Sequence, residues 1–350
     1  MKRKIAQYQQ SFKYAFRKNK PLLMLRTLSN LCHSLFNKVP RLRYADLAVT
    51  YDCNMSCGYC SALKLKDPQK KEMSIEDYKM IADQLLENGV LIIQLTGGEP
   101  LLKHNLEEII KALHPSKMFI SLATNATIAT RERLKSFKKA GLDNICISID
   151  NWDEDVDGWQ GKFASDNSIK VLELGLEVGL TAMIFTVVSH KNVRGKGFME
   201  LIEYTAKKGV FLLVGWAVPT GNWNANMEVL LTDDDLKYLD EIYKKHAHVR
   251  TDFDANYFRS GCGAVMEKIY ITSYGDVIPC AFLHISFGNI FTKTLREIRE
   301  NALRYGVFRK YSKLCLAAND KDFRRKHMVK IFEAKREPIS LEEAGIERKP

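Results

Sequence analysis

Stretches of β-type residues alternate with helical stretches along most of this chain, and that alternation limits the possible folds more than any other feature. The candidate strands are residues 44–49, 90–95, 118–122, 144–150, 182–189 and 211–216. The helices between them have recognisable ends: one starts with the capping-box pair Ser74 and Asp77 and stops at Gly89. Each connection is long enough for a crossover helix, so the strands should be parallel. The sequence therefore predicts an α/β fold built from six βα units.

Three cysteines, Cys53, Cys57 and Cys60, stand directly after the first predicted strand. Thiolates at C-x3-C-x2-C spacing can hold three corners of a [4Fe–4S] cluster, whereas a closed cluster needs four protein ligands. One iron would therefore remain free for another ligand. A zinc site typically shows two C-x2-C pairs, or one pair with histidines, and disulfide frameworks are typical of short secreted chains. The cluster is the better interpretation.

Length and composition are those of an ordinary globular protein. The 350 residues are enough for one large α/β domain and a smaller one, and 46% of them are hydrophobic and 27% charged. No apolar run approaches the roughly 18 residues of a transmembrane helix. Eight cysteines without export features predict a reducing cytoplasm, where thiolates bind metals.

The excess positive charge lies in an N-terminal arm, residues 1–43. The arm contains 11 of the 53 lysines and arginines and no acid, so the remaining 42 basic residues balance the 42 acids of the rest of the chain. A first predicted helix has apolar residues at helical spacing, namely Ile5, Tyr8, Phe12 and Phe16. Pro21 can start a second helix. Its apolar stripe would consist of Leu22, Leu25, Leu28, Leu31, Leu35 and Phe36.

Basic amphipathic helices with aromatic residues are typical of membrane-surface elements, so the arm predicts binding to an anionic membrane. Packing of these helices on the body of the protein is the other main alternative. A nucleic-acid arm and an organellar transit peptide, which also lacks acids, are less favoured. We therefore expect a cytoplasmic protein, with peripheral attachment to the inner face of the membrane as the location that the arm favours.

Polar and glycine-rich segments follow three further predicted strands. They are Thr96-Gly97-Gly98-Glu99-Pro100, Thr124-Asn125-Ala126 and Ile147-Ser148-Ile149-Asp150. In the first, the glycines let the backbone approach a ligand closely and Glu99 offers an anionic acceptor. In the last, Ser148 and Asp150 share one face because strand side chains alternate. Ordinary turns and caps are the alternative interpretation of such segments.

The cysteine spacing, the aromatic Tyr59 before the last cysteine and the G-G-E-P motif resemble those of the radical S-adenosylmethionine (SAM) enzymes. The resemblance implies an open, partial (β/α)6 TIM-like barrel. It also implies that the three cysteines bind a [4Fe–4S] cluster whose free iron chelates SAM. An electron from the cluster would cleave SAM to a 5′-deoxyadenosyl radical, which abstracts hydrogen from substrate. The SAM-binding residues carried over are Tyr59, Gly97, Gly98, Glu99, Asn125, Ser148 and Asp150. The family often has glycine where this chain has Ala126, so the match at Asn125 is weaker.

A second set of cysteines, Cys262, Cys280 and Cys315, accompanies a predicted hairpin whose turn contains Gly275. With the following Gly288-Asn289-Ile290, this region resembles the twitch or shortened SPASM domain that follows many radical SAM cores. The resemblance implies one auxiliary [4Fe–4S] cluster. Fuller versions carry seven cysteines, so the second cluster of a full SPASM domain is not expected here. Scattered structural thiols and a zinc site are the alternatives.

The auxiliary set lacks a fourth cysteine. His284 and Asp320 are candidate ligands by their proximity in sequence, and His284 would also complete the alternative zinc site. The remaining possibility is an iron that stays open to substrate.

The sequence thus predicts an α/β core with additions at both ends. The predicted segments are a basic helical arm (1–43), a radical SAM core (44–230), a linker helix (231–254), a twitch/SPASM-like α+β domain (255–325) and a C-terminal tail (326–350). No general base is predicted, and the oligomeric state is left open.

We expect a radical SAM enzyme that abstracts hydrogen from a substrate still to be identified, and the arm favours a membrane-associated or lipid-linked one. Modification of a peptide or dehydrogenation of a small molecule is the alternative. An iron–sulfur sensor or a zinc-binding module is the alternative outside the enzymes. The resemblance implies an electron donor such as flavodoxin or ferredoxin.

Overall fold

A nine-stranded sheet forms the centre of the part of the chain that the computed structural model describes, residues 19–150, 164–251, 257 and 259–348. Its strands are β1 Tyr44–Thr50, β2 Ile92–Gly97, β3 Phe119–Thr124, β4 Asn144–Ser148, β5 Thr181–Val188, β6 Phe211–Trp216, β7 Val249–Thr251, β8 Lys268–Ile271 and β9 Val277–Ile278. They lie in the order β7-β6-β5-β4-β3-β2-β1-β8-β9. Every neighbouring pair is parallel except β8 and β9. The predicted parallel α/β fold and its six βα units are confirmed.

Helices connect the strands and cover the sheet. They are α1 Pro21–Phe36, α2 Ile75–Glu87, α3 Leu106–Ala112, α4 Arg131–Ala140, α5 Ala164–Glu177, α6 Lys196–Lys208, α7 Asp233–Lys245, α8 Leu295–Ala302, α9 Lys321–Phe323 and α10 Val329–Phe332. A π-helical turn, Arg324–Met328, joins the last two. The predicted capping box of α2 is present, because Ser74 Oγ accepts from Asp77 N at 3.2 Å and Ser74 N donates to the Asp77 carboxylate at 2.8 Å. Local signals therefore set this helix boundary as predicted.

The strand β1 lies between two parallel partners. Tyr44 pairs with Ile92 of β2 on one side and with Lys268 of β8 on the other. The sheet therefore continues from the predicted core into the predicted C-terminal domain, and β7 extends it within the predicted linker helix 231–254. The predicted domain boundaries stay a prediction. The carboxyl ends of β1 to β6 meet at one edge of the sheet, where ligands bind in such architectures.

The helix α1 starts at Pro21, as predicted, and lies at the opposite, amino-terminal edge of the sheet. Asn30 Nδ2 donates to Gly89 O at 2.6 Å, before the start of β2. Leu23 packs with Leu91 and Phe119, where β2 and β3 begin. The alternative of packing on the body therefore holds for α1. Residues 1–18, including the first predicted helix of the arm, lie outside the described residues. No helix within the described ranges is long and apolar enough to cross a membrane.

Polar side chains, rather than the leucine stripe, face the body from α1. The buried positions of the helix are Leu23, Thr27, Asn30 and Ser34. The large apolar side chains exposed to solvent are Leu22, Leu25, Leu28, Leu35 and Phe36. Five of the six residues of the predicted stripe therefore point away from the protein, whereas Leu31 is half-buried and packs on the body beside Leu23.

A buried ion pair anchors the amino end of α1. Lys20 pairs with Asp143 and also donates to Met118 O at 3.1 Å, while Asp143 accepts from Ile120 N at 2.8 Å. Both charged side chains are almost inaccessible to solvent, at 7% and 3% exposed. Removal of one partner from such a pair leaves an uncompensated buried charge, which is strongly destabilising.

We expect Lys20→Ala to lower the free energy of unfolding by about 3 kcal/mol, because Asp143 would remain buried without its counter-ion. The matched control is Lys244→Ala, which removes a surface lysine paired with Asp240 and Glu241 and should leave the free energy of unfolding nearly unchanged. Urea unfolding followed by circular dichroism measures both values. Equal losses in the two variants would show that the Lys20 pair is no stronger than a surface pair.

Candidate active site and metal centres

The loop that carries Cys53, Cys57 and Cys60 begins where β1 ends. Cys53 is exposed, the other two are half-buried, and none of the three forms a disulfide. Cys60 N donates to Cys57 O at 3.2 Å, and Met55 N donates to the sulfur of Cys53 at 3.4 Å. These local bonds shape a loop that presents three free thiols at the carboxyl edge of the sheet.

Burial raises the pKa of the Cys57 thiol to about 12, with smaller contributions from the charges of Asp150, Cys60 and Cys53. Burial likewise raises the pKa of Cys53, and the N–H of Met55 opposes that rise. The three sulfurs therefore lie within electrostatic range of one another. Because thiolates are the ligands of iron, cluster assembly must displace these protons.

The Gly97-Gly98-Glu99 segment supports the start of the cysteine loop. Gly98 N donates to Thr50 O at 2.8 Å, and Glu99 N donates to Asp52 O at 2.7 Å. A Cβ on Gly98 would lie 2.1 Å from Asp52 O, and one on Gly97, whose φ is 132°, would lie 2.0 Å from Thr50 O. Only glycine allows this approach of the two backbones.

The carboxylate of Glu99 joins the end of β2 to the end of β3. Its oxygens accept hydrogen bonds from Leu101 N (2.9 Å), Thr124 Oγ1 (2.8 Å) and Asn125 N (2.7 Å). Glu99 is only 1% exposed, and burial raises its pKa while these donors lower it. Its expected contact with SAM stays a prediction, and the structure adds a role in shaping the loop.

Asn125 connects the end of β3 to the cysteine loop. Its Nδ2 donates to Asn54 Oδ1 at 2.9 Å, and its Oδ1 accepts from Thr127 N at 3.0 Å. Asn54 in turn donates to Thr127 Oγ1 at 2.7 Å. The following Ala126 has a φ of 65°, in the left-handed region that glycine adopts without strain. That backbone explains why the related motif often has glycine at this position.

Tyr59 and Asp150 meet across the site. The Tyr59 hydroxyl donates to one oxygen of the Asp150 carboxylate, and Val187 N donates to the other at 2.7 Å. Asp150 is 4% exposed, and burial raises its pKa to about 7. Ser148, at the end of β4, is half-buried. The predicted residues of the first and fourth strand ends are thus brought together.

The segment after β6 holds the cysteine loop from its other side, through a residue that sequence analysis did not identify, Asn222. Asn222 N donates to Cys60 O at 3.1 Å, and Asn222 Nδ2 donates to Cys57 O at 2.7 Å. A Cβ on Gly221 would lie 1.9 Å from Cys60 O. No residue pattern marks Asn222. Its position just beyond the end of a parallel strand is the signal that could have found it.

The second set of cysteines also comes together. Cys262 precedes β8, Cys280 follows β9 and Cys315 follows α8. Burial raises the pKa of Cys315 to about 12, with added contributions from Cys262 and Cys280. Burial also raises the pKa of Cys280 to about 11. Three half-buried thiols from distant parts of the chain therefore lie within electrostatic range of one another.

Backbone N–H groups point at these sulfurs, as a thiolate-bound cluster requires. Ala318 and Ala317 donate toward Cys315, and Phe282 and Leu283 donate toward Cys280. Such donors stabilise sulfur charge, and hydrogen bonds to sulfur tune the potential of iron–sulfur clusters. The chemistry of both donor sets therefore fits iron–sulfur clusters.

Within the described residues, no group of three or more His, Cys, Asp or Glu side chains is arranged to hold one metal ion. This finding does not count against a cubic cluster, which places its thiolates on different irons.

The two candidate fourth ligands of the auxiliary site are occupied elsewhere. His284 pairs with Glu337 through Nδ1, and its Nε2 donates to Ala281 O at 2.9 Å. Asp320 caps α9 by accepting from Phe323 N at 2.9 Å. Both ring nitrogens of His284 therefore have protein partners in this structure, and the identity of the fourth ligand stays open.

Comparison with known proteins agrees with both sites. Residues 47–205 match the family model of the radical SAM superfamily, and residues 262–324 match the SPASM iron–sulfur cluster-binding domain. The two matched ranges contain the two cysteine sets.

Curated relatives and solved structures extend the match over most of the chain. The AdoMet-dependent heme synthase of Methanosarcina barkeri is 27% identical over 77% of this chain and 84% of its own length. The subtilosin biosynthesis protein AlbA of Bacillus subtilis is 27% identical over 80% of this chain and 65% of its own. The structure of Streptococcus suis SuiB bound to S-adenosylmethionine has a TM-score of 0.61 at 19% identity, covering 84% of this chain and 74% of that one. The chain therefore contains a radical SAM domain and, C-terminal to it, a SPASM iron–sulfur cluster-binding domain.

Proposed function

We propose that this enzyme cleaves SAM and uses the 5′-deoxyadenosyl radical to abstract hydrogen from an organic substrate. Its cofactors are SAM, a [4Fe–4S] cluster and an auxiliary iron–sulfur cluster. When bound, the first cluster supplies the electron that SAM cleavage needs. The proposal rests on one observation: hydrogen bonds join the cysteine loop to the ends of β2, β3 and β6 at one edge of the sheet.

We assign the cofactor-binding residues from the same hydrogen bonds between the cysteine loop and the strand ends. Cys53, Cys57 and Cys60 would hold the catalytic cluster. The residues proposed to line the SAM site are Tyr59, Gly97, Gly98, Glu99, Asn125, Ser148 and Asp150, and those proposed for the auxiliary cluster are Cys262, Cys280 and Cys315. Support comes from the short contacts that join these strand ends and from the N–H groups directed at the sulfurs.

The surroundings of Tyr59 suit radical chemistry because they are apolar. Tyr59 and Trp223 lie with ring centroids 5.8 Å apart, against a cluster that includes Val187, Ala217 and Val229. An apolar wall at the site excludes water and limits side reactions of a radical. Asp150 holds the Tyr59 hydroxyl in this wall.

The substrate class follows from the relatives rather than from the site. The heme synthase relative favours a small-molecule substrate, and the match covers 84% of that relative's length. A peptide is the second candidate, favoured by the bacteriocin biosynthesis relative. A lipid-linked substrate would have to reach the carboxyl edge of the sheet, whereas the leucine stripe of α1 lies at the amino edge.

Electrons for SAM cleavage must come from outside the chain. We propose a flavodoxin or ferredoxin as the donor, in keeping with the superfamily. The exposed Cys53 gives such a partner a route to the catalytic cluster. We also propose that the enzyme lies on the inner face of the membrane, with the basic arm as its attachment.

Substitution of the two cysteine sets should separate their roles. With Cys53, Cys57 and Cys60 all changed to alanine, we expect about four of the roughly eight irons to remain and 5′-deoxyadenosine formation to be lost. With Cys262, Cys280 and Cys315 changed instead, about four irons should remain, and cleavage of SAM should persist. Anaerobic reconstitution, iron counting and product chromatography test this. Cleavage that survives the first set of changes would refute the assignment.

We expect Gly98→Ala to lose the catalytic cluster, because its Cβ would lie 2.1 Å from the backbone oxygen of Asp52 and must displace the cysteine loop. Iron content should fall to about four per chain. The rate of SAM cleavage should fall at least about a hundredfold. The control is Gly209→Ala, whose new Cβ would meet no atom within 4 Å, although its φ of 67° itself makes alanine less favourable there. Normal cleavage by Gly98→Ala would show that the close approach is dispensable.

The buried Asp150 should make stability depend on pH. Its folded pKa of about 7 lies above the usual value of 3.8, so the folded state binds the extra proton and loses stability as pH rises from about 4 to 7. We expect Asp150→Asn, which cannot ionise, to gain about 2 kcal/mol over the wild type between pH 5 and pH 8. Urea unfolding at the two pH values measures the difference. A constant difference would show that Asp150 titrates normally.

A further inference from the structure

We propose that the outward leucine face of α1 docks on an anionic membrane surface, which deepens the membrane attachment proposed above by naming the residues that enter the lipid. We define the leucine face as Leu22, Leu25, Leu28, Leu35 and Phe36, whose exposed fractions are 46%, 63%, 46%, 64% and 86%. Several large apolar side chains exposed on one helix face mark an interaction site more often than they occur on ordinary protein surface.

Buried polar contacts on the other side of α1 prevent the leucine face from turning inward. Asn30 donates to Gly89 O, and the Arg26 guanidinium donates to Leu86 O at 3.2 Å and Val90 O at 2.8 Å. The Lys20–Asp143 pair fixes the amino end. A rotation that buried the leucines would break all of these bonds and leave their partners unsatisfied, which is costly. The orientation of the helix is therefore determined by the body of the protein.

The groove beside the leucine face has the mixed lining of a lipid contact. It is an open groove of about 420 Å³ between α1 and the end of α2, and Leu22, Leu25 and Leu86 form its apolar part. Lys117, Glu87 and Arg26 also line it, and the Arg26 guanidinium is held there by its bonds to Leu86 O and Val90 O. Apolar side chains beside lysine and arginine are the arrangement of helices that lie in the headgroup region.

The positive charge of residues 1–43 favours an anionic surface over the other candidate partners of the leucine face. Residues 1–43 carry 11 basic residues and no acid, and six of the 11 precede residue 19. A second copy of the chain would bring two such arms together, and their like charges would repel. A nucleic acid would meet leucine side chains that offer no hydrogen bonds to phosphate or base edges. An anionic bilayer satisfies both the apolar face and the basic flanks.

Vesicle co-sedimentation of the reconstituted full-length enzyme tests the proposal. The probes are vesicles of phosphatidylcholine with phosphatidylglycerol and vesicles of phosphatidylcholine alone. We expect binding to the anionic vesicles, and a loss of affinity of at least about tenfold in Leu25→Glu and in Leu35→Glu. The matched control is Val329→Glu, which also replaces an exposed aliphatic side chain (41% exposed) with one negative charge. It should bind as the wild type does.

Other outcomes overturn the proposal. Equal binding by all three variants would mean that charge or residues 1–18 carry the attachment without the leucine face. A dimer in size-exclusion chromatography that Leu25→Glu and Leu35→Glu convert to a monomer would make a second copy the occupant. Iron content and 5′-deoxyadenosine formation, measured on the same samples, report on the catalytic proposal separately, and both should be unchanged in every variant.

Discussion

The parallel pairing of β1 with β2 on one side and β8 on the other is the constraint on which the rest of the molecule depends. It fixes the direction and the end point of the strand that leads into Cys53. Because β2 runs in the same direction, its own end brings Gly98 and Glu99 to the backbone of Thr50 and Asp52. Because β8 belongs to the region with the second cysteine set, the same pairing also sets where the SPASM domain begins. One strand thus relates the two metal sites.

Between those sites lies a tyrosine-rich cluster that no sequence pattern indicated. Tyr51 follows β1, Tyr270 lies in β8, and their hydroxyl oxygens are 3.4 Å apart. Tyr274 packs on Tyr51, with ring centroids separated by 5.6 Å. Burial raises the pKa of both Tyr51 and Tyr270 far above the usual value, so these phenols stay neutral. Ala62 and Ala281 pack against these tyrosines, so the group contacts the segments next to Cys60 and Cys280.

The features that the sequence predicted depend on residues that are close together along the chain. The capping box at Ser74, the stop of α2 before Gly89 and the spacing of Cys53 to Cys60 depend on local chemistry, and the structure bears out the boundaries of this helix. The orientation of α1 was not predictable, because periodicity gives two faces without saying which one finds partners. That choice rests on contacts such as Lys20 with Asp143, which lie 123 residues apart in sequence. The pairing of His284 with Glu337 was not predictable for the same reason, since the two residues are 53 positions apart.

The contact of Asn222 with the cysteine loop has a consequence for protein engineering. The carbonyls of Cys57 and Cys60 are held by a residue that lies 165 positions from Cys57 along the chain. A cysteine segment transplanted by itself into another barrel would lack that brace, and it would lack the backbone partners that Gly98 and Glu99 provide. A working graft therefore has to include the turns after the second and sixth strands as well as the thiols. The smallest transferable unit is the whole set of turns at the carboxyl edge of the sheet that contact the cysteine loop.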